Sequence, residues 1–232
     1  MWVYDHKHGP VGEILSEKAQ VVILGNYQGA LDFGKTYSAI AHTNSICIIF
    51  VYAASQCWYI YTFNVKTAFL NANLHEEVYC TQIPHFPEPD KGTILWLCKA
   101  LYSLCQAGNA WYHTFRPVLE KFGLCYCKVD HGIFFGSWQT SPHLSVPMPS
   151  DSRPLHMLLP IHVDDRAVAT NSLPLYAYFI HFLNDHFTVN DLGPICLYLG
   201  VTVKYGHEWG SLSLSQTLFI DELLDLHHLL TA

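Results

Sequence analysis

The chain is short of charge. Only 13% of its 232 residues are Asp, Glu, Lys or Arg, and 12 Lys and Arg face 19 Asp and Glu, for a formal net charge of −7. A positive field over the whole surface is thereby excluded, so any contact with a polyanion such as nucleic acid must be a local patch. Metal-ligand spacing is poor too: the richest are Cys125-Tyr-Cys127, then Cys98 and Cys105, and eight cysteines and 15 histidines include no Cys-x-x-Cys or His-x-x-x-His. A tetrahedral zinc site needs two such pairs brought together, so a Cys- and His-rich metal module is the weakest reading and no zinc is expected. No secretory leader opens the chain at Met1-Trp2-Val3-Tyr4-Asp5. The cysteines are therefore expected to stay reduced, as small core residues of an intracellular protein, cytoplasmic or nuclear and not secreted. Long apolar runs are also missing. Ile46 to Phe63 comes nearest, but Ser55 and Gln56 divide it into a helix-like part, Ile46 to Ala54, and a strand-like part, Trp58 to Phe63. Neither reaches the roughly 20 residues of a bilayer crossing, and no membrane partner is expected.

What is present is apolar: 50% of residues are hydrophobic, enough in a 26.4 kDa chain for one sizeable core and a second lobe. Alternating apolar positions with Gly25 and Gly29 as breakers predict short strands and turns over Gly12 to Phe33, a small outer lobe. A Pro-rich loop, His85 to Gly92, precedes a strand from Thr93 to Lys99. Trp111, Phe115, Val118, Leu119 and Phe122 recur at helical spacing and Gly123 follows as a cap, which predicts a helix over Ala107 to Phe122. Pro117 inside it removes a backbone donor at a cost of about 3 kcal/mol and predicts a kink. Ser- and Pro-rich residues 137–154 read as an exposed loop insertion. Beyond it the pattern predicts a hairpin from Leu155 to Thr170 and a helix from about Leu173 to Phe187. A strand from Ile195 to Lys204, a turn from Tyr205 to Gly210, a strand from Ser211 to Ser215 and a terminal helix complete the chain.

Chemistry concentrates at Asp164 and Asp165, adjacent carboxylates between two apolar runs at the expected hairpin tip. Taken alone, Asp-Asp at a turn is turn chemistry. Held by apolar strands and joined by a third carboxylate, such a pair can hold magnesium, which prefers oxygen ligands and serves in pairs at phosphoryl-transfer sites. A hundred residues upstream, where that third carboxylate is looked for, stands Asn64, opening Asn-Val-Lys-Thr-Ala-Phe-Leu.

These blocks lie in an ordered set: Lys18-Ala, Asn64 to Tyr79, Leu101 to Tyr112, Val163-Asp-Asp165, Asp191-Leu-Gly193, Leu197 to Val201 and Leu212 to Gln216. In that order, over roughly Glu17 to Leu230, the chain resembles the reverse transcriptase domain of copia-type retrotransposon polyproteins. The resemblance implies an α+β fingers and palm polymerase fold, with an antiparallel palm sheet backed by helices and with thumb and RNase H absent from this length of chain. It places residues 1–63 and 80–106 mostly in a fingers-like lobe and residues 64–79 and 107–232 mostly in the palm. It implies Mg2+ as cofactor, and an RNA or DNA template-primer and a deoxynucleotide as partners. Asp164 and Asp165 match the paired metal ligands, and Asn64 falls on the third catalytic carboxylate. Phe69 matches the aromatic that blocks a ribose 2′-hydroxyl, Gln106 a contact to nucleotide and template, and Lys18 a fingers charge on the triphosphate. Without the resemblance, Phe69 reads as a core aromatic, Gln106 as a helix-start cap and Lys18 as a solvated charge; Trp111 and Tyr112 read as core either way.

The departures gather where chemistry would occur. Asn64 brings an amide oxygen but no charge to a cation, and loss of one preorganised electrostatic group costs about 100- to 1000-fold in rate. Gln20 stands at an arginine position, Cys105 and Asn109 at basic positions, and His162 at an aromatic one. Pro160 and Pro117 lie inside elements. The expectation is a fragment of a retrotransposon reverse transcriptase whose two-metal nucleotidyl transfer is impaired or lost. The alternative is a non-catalytic remnant acting as a weak nucleic-acid-binding or assembly module.

Overall fold

Thirteen strands and four α-helices are formed by the residues that the computed structural model describes, which are 1–8, 14–29, 34–83, 92, 94–143, 146–148, 153–162 and 165–227. In chain order they are β1 (Trp2–His8), β2 (Ile14–Val21), α1 (Thr43–Ser55), β3 (Tyr59–Val65), β4 (Asn73–Thr81), β5 (Ile94–Lys99) and α2 (Ala107–Phe122). Next come β6 (Cys125–Tyr126), β7 (Ile133–Trp138), β8 (Leu155–His162), β9 (Asp165–Thr170) and α3 (Leu173–Asn184). β10 (Val189–Pro194), β11 (Leu197–Tyr198), β12 (Val201–Gly206), β13 (Ser211–Ser215) and α4 (Thr217–Leu226) follow. All strand pairs among the described residues are antiparallel, and the fold is mixed α and β, as the sequence predicts at that level. By its contacts the chain divides into two units, Met1–Ser38 with Thr67–Pro117, and Ala39–Lys66 with Val118–Ala232.

In the first unit β1 pairs with β2 and β4 with β5. Gln28 ties its loops together: its Oε1 accepts from the Cys105 amide at 3.0 Å, and its Nε2 donates to Gln106 Oε1 at 3.4 Å. Along α2, Trp111 and Phe115 stack at 5.1 Å, the buried face that the spacing predicts.

The second unit is organised by a six-stranded sheet in the order β10-β3-β9-β8-β7-β6. Side chains alternate across a strand, so β3 serves two layers. Its odd positions meet α3: Tyr61 packs on Tyr176 at 4.7 Å and Phe63 on Phe179 at 5.8 Å, with Phe122 from the end of α2 on Phe179 at 4.9 Å. Its even position Ile60 lies in a cluster on the other face, with Ile46, Ile49, Phe50 and Ala53 of α1, Ala167 and Ala169 of β9, and Tyr198 and Val203. Burial of each large side chain in these layers contributes about 1.5–3 kcal/mol.

α1 enters this face through Asp130, which is 7% exposed. The His42 amide donates to its Oδ2 at 3.0 Å and the Gly132 amide to its Oδ1 at 3.1 Å, so a carboxylate sits at the helix N-terminus where the dipole favours it. Burial alone would raise the pKa of Asp130, but hydrogen bonds from Ser45, His42 and Gly132 and the charge of His42 outweigh it and hold the carboxyl below its ordinary value. Gly132 is required by close approach: a Cβ there would fall 2.1 Å from the Ala41 backbone nitrogen. At α3, Ser172 accepts from the Leu175 amide at 3.3 Å as an N-cap, with Pro174 in the first turn.

Several expectations need correction. The strand expected from Ile195 to Lys204 is two strands, β11 and β12, because Leu199 (φ 52°) and Gly200 (φ 75°) form a tight two-residue turn that reverses the chain. α3 ends at Asn184, short of Phe187; Asn184 Oδ1 takes the Val189 amide at 3.0 Å and starts β10. α2, by contrast, has the predicted bounds, Ala107–Phe122, with Pro117 inside it. β1, β4, β6, β7 and β10 lie where no strand is predicted. Residues 139–154 carry no helix or strand among those described, and most of the Pro-rich loop, residues 84–91, lies outside the described residues. Among the described residues no helix is long and apolar enough to cross a membrane.

Replacing Asp130 by Ala orphans buried donors and is expected to lower stability by about 1–3 kcal/mol in urea unfolding. Because the folded-state pKa is depressed, this contribution is present above the unfolded carboxyl pKa and is lost as pH falls through the folded value. An Asp130→Asn variant should accordingly show a flatter acid limb in stability against pH.

Candidate functional site

Register builds the site. His162 of β8 pairs with Asp165 of β9; Val163 and Asp164, which the sequence puts between them, lie outside the described residues. On its other side Asp165 pairs with Asn64 of β3, and Asn64 in turn with Asn190 of β10. Directly paired residues of an antiparallel ladder share a face, with Cβ atoms about 4.5–5.5 Å apart. Four adjacent strands thus present Asn190, Asn64, Asp165 and His162 in one row. Asp165 is exposed, and Asn64 and His162 are half-buried. The row lies on the α1 face of the sheet, the same face as Ile60, Ala167 and Ala169.

Two polar atoms on this face lack partners among the described residues. Asn64 Oδ1 is buried and accepts no hydrogen bond. Tyr198, 5% exposed, has its hydroxyl in the same condition, while its ring meets Phe50 edge-on at 5.5 Å. Burial pushes the Tyr198 phenol well above its ordinary value, the charge of Asp165 adds to this, and Arg166 opposes it. The hydroxyl therefore lies within electrostatic reach of Asp165. Arg166, 1% exposed, belongs to the opposite face, its guanidinium 6.0 Å from the centre of the Phe63 ring. A carboxylate beside an orphaned amide oxygen suits a hard divalent cation in donor type. Among the described residues, no group of three His, Cys, Asp or Glu side chains forms a metal cluster.

Asp191-Leu-Gly193 turns out to be a brace behind this row. Asp191 Oδ1 accepts from the Tyr176 hydroxyl at 2.7 Å and from the Gly193 amide at 2.9 Å, at the irregularity where β10 leaves its register with β3. Burial, then the hydrogen bond and charge of Asp191, raise the Tyr176 phenol far above its ordinary value.

The other expected site residues belong to the first unit. Lys18 lies in β2 opposite Asp5, and its side chain is outside the description. Phe69 sits in a 3-10 helix, Ala68–Asn71, 8% exposed and edge-on to Tyr102 at 4.7 Å. Gln106, 2% exposed, immediately precedes α2; its side chain accepts from Gln28 rather than capping the helix, and its Nε2 has no partner among the described residues. The structure thus joins Asn64 to Asp165 and groups Lys18, Phe69 and Gln106 by unit. Tyr198, Tyr176 and Asp130 were not singled out from sequence. Tyr198 stands inside the Leu197 to Val201 run, but only the folded sheet shows what its hydroxyl faces.

A family model described as "Reverse transcriptase (RNA-dependent DNA polymerase)" matches residues 1–232. The chain belongs to the reverse transcriptase family. The resemblance carried by the ordered motifs is therefore borne out. Among curated relatives, the chain is 29% identical over 233 residues to the retrovirus-related Pol polyprotein from transposon RE2 of Arabidopsis thaliana, covering 100% of this chain and 15% of that protein. The corresponding polyprotein from transposon RE1 of the same plant matches to the same extent. That from transposon TNT 1-94 of Nicotiana tabacum is 27% identical over 226 residues, 97% of this chain and 16% of the relative. The chain thus spans only about 15% of the length of these polyproteins. No solved structure matches it.

For this reverse transcriptase domain, Asp191→Ala is expected to lower stability by about 1–3 kcal/mol in denaturant unfolding, because it leaves Tyr176 buried without its acceptor. With the folded phenol pKa raised, the stabilisation from Tyr176 is complete below the unfolded phenol pKa and is lost as pH rises toward the folded one. Absorbance titration of tyrosinate should show Tyr176 ionising with alkaline unfolding, and earlier in the Asp191→Ala protein.

Proposed function

We propose that the chain is the reverse transcriptase domain of a copia-type element, a fingers and palm polymerase domain whose two-metal nucleotidyl transfer is impaired or lost through Asn64. The observation that carries this reading is the register that sets Asn64 directly opposite Asp165. Residues a hundred positions apart in sequence meet where the family's carboxylates would have to meet. In this reading the second unit, with its six-stranded sheet, α3 and the end of α2, corresponds to the palm and the first unit to the fingers-like lobe, which moves residues 39–63 to the palm and residues 67–79 and 107–117 to the fingers relative to the division the resemblance implies.

Asp165, with Asp164, would hold Mg2+, and the Asn64 amide would offer an oxygen without charge. The cation, when bound, supplies Lewis-acid stabilisation of the transferring phosphoryl group. The chain's own residues orient and select. Phe69, wedged against Tyr102, would exclude a ribose 2′-hydroxyl; Gln106, held by Gln28, would present its amide nitrogen to nucleotide and template; Lys18 would steady the triphosphate. The partners are then a template-primer and a deoxynucleotide in an intracellular compartment. With a net charge of −7, contact with the duplex must rest on local patches.

Primer extension by the purified chain and by Asn64→Asp decides the point. The aspartate variant should incorporate deoxynucleotides about 100- to 1000-fold faster than the unaltered chain. Equal inactivity of both would remove Asn64 as the cause. The intact ladder around an uncharged Asn64 also favours a second reading, a non-catalytic scaffold that binds nucleic acid weakly; salt-sensitive binding without incorporation in either protein would select it, and no binding at low salt would eliminate it.

A further inference from the structure

The row beside Asn64 contains a ligand that an oxygen-only magnesium site has no use for. His162 pairs with Asp165 on the strand opposite to Asn64, so the imidazole, the carboxylate and the amide share one face of three neighbouring strands. Two further facts mark this face as built to meet something polar. Among the described residues Asn64 Oδ1 is buried and accepts nothing, and the Tyr198 hydroxyl, on a residue 5% exposed, is likewise unpartnered and lies within reach of the charge of Asp165. Buried polar atoms in folded proteins are nearly all hydrogen-bonded or ligated, so two such atoms on the face that carries Asp165 leave room for a polar ligand there.

Resting on the palm reading above, we infer that this face holds a first-row transition dication, of the Mn2+ to Zn2+ series, in preference to Mg2+, with His162 as a ligand beside Asp165 and Asn64. Mg2+ takes oxygen donors in near-octahedral geometry and depends on the charge of its carboxylates, so replacing an anion by Asn64 weakens it directly. Transition dications accept imidazole nitrogen together with oxygen, and an added nitrogen donor offsets the missing charge for them alone. The same two positions that depart from the polymerase pattern, 64 and 162, therefore act together: one lowers the hold on Mg2+, and the other introduces a donor Mg2+ does not use. The Tyr198 hydroxyl, within electrostatic reach of Asp165, is available to hold a water on the ion.

The test is direct binding to the full chain without nucleic acid, with Mn2+ followed by loss of its free electron paramagnetic resonance signal and Mg2+ by competition. The unaltered protein should bind Mn2+ at least about tenfold more tightly than Mg2+, the lower end of what even an outer-shell partner of a metal ligand carries. His162→Phe and His162→Gln, checked for retained circular dichroism, should erase the difference by weakening Mn2+ while leaving Mg2+ unchanged. Asn64→Asp should tighten both ions. Equal affinities in the unaltered chain, or a Mn2+ preference that survives both His162 variants, overturns the inference while Mg2+ binding by Asn64→Asp upholds the palm reading. If neither ion binds even to Asn64→Asp, the palm reading falls with it.

Discussion

The ladder between β3, β9 and β8 is the constraint on which the rest depends. Antiparallel pairing has a period of two, so a slip of one residue would carry Asn64 from the α1 face to the α3 face and put Phe63 in its place. The register is held from both sides. On one side Tyr61 and Phe63 are committed to Tyr176 and Phe179 of α3; on the other Ile60, Ala167 and Ala169 are committed to α1. A half-buried amide and an exposed carboxylate are brought side by side because apolar neighbours above and below leave no other arrangement.

Polar contacts then close the frame at its ends. Asp130 accepts from His42 and Gly132 and anchors the start of α1; Asp191 accepts from Tyr176 and Gly193 and locks β10 against α3. Each is a carboxylate serving backbone or hydroxyl donors within the fold, in contrast to Asp165, which is exposed at the end of its strand. Three aspartates of one unit thus have two different kinds of work, divided by what surrounds them: two are filled by internal donors, and one is left open.

Much of this was legible beforehand. Helical spacing located α2 from Ala107 to Phe122, and the aromatic run after Gln56 located β3. The split of the strand beyond Ile195 was not, because Leu199 carries no turn signal and takes φ > 0 only with Gly200 beside it and Tyr198 and Val201 paired across the turn. β7 is not legible because Ile133 to Trp138 is a short apolar run with a glycine, which by itself suits strand, helix or loop; its pairing with β8 decides it. Without the resemblance, its place before α2 suggests a cap for Gln106, whereas Gln28, 78 positions away in the chain, claims its side-chain oxygen.

By itself the sequence determined the family, through motifs in collinear order, and the chemical inventory: adjacent aspartates, an amide where a third carboxylate would stand, a histidine where an aromatic would stand, few cations. Those are properties of residue identity and order, and they survive without coordinates. Only the tertiary structure decided adjacency. That Asn64, Asp165 and His162 share one face, that Tyr198 brings a buried hydroxyl within electrostatic reach of Asp165, and that Asp130 and Asp191 are consumed by internal donors all follow from strand register and packing. Those are set by contacts between residues distant in the chain, and no local pattern encodes them.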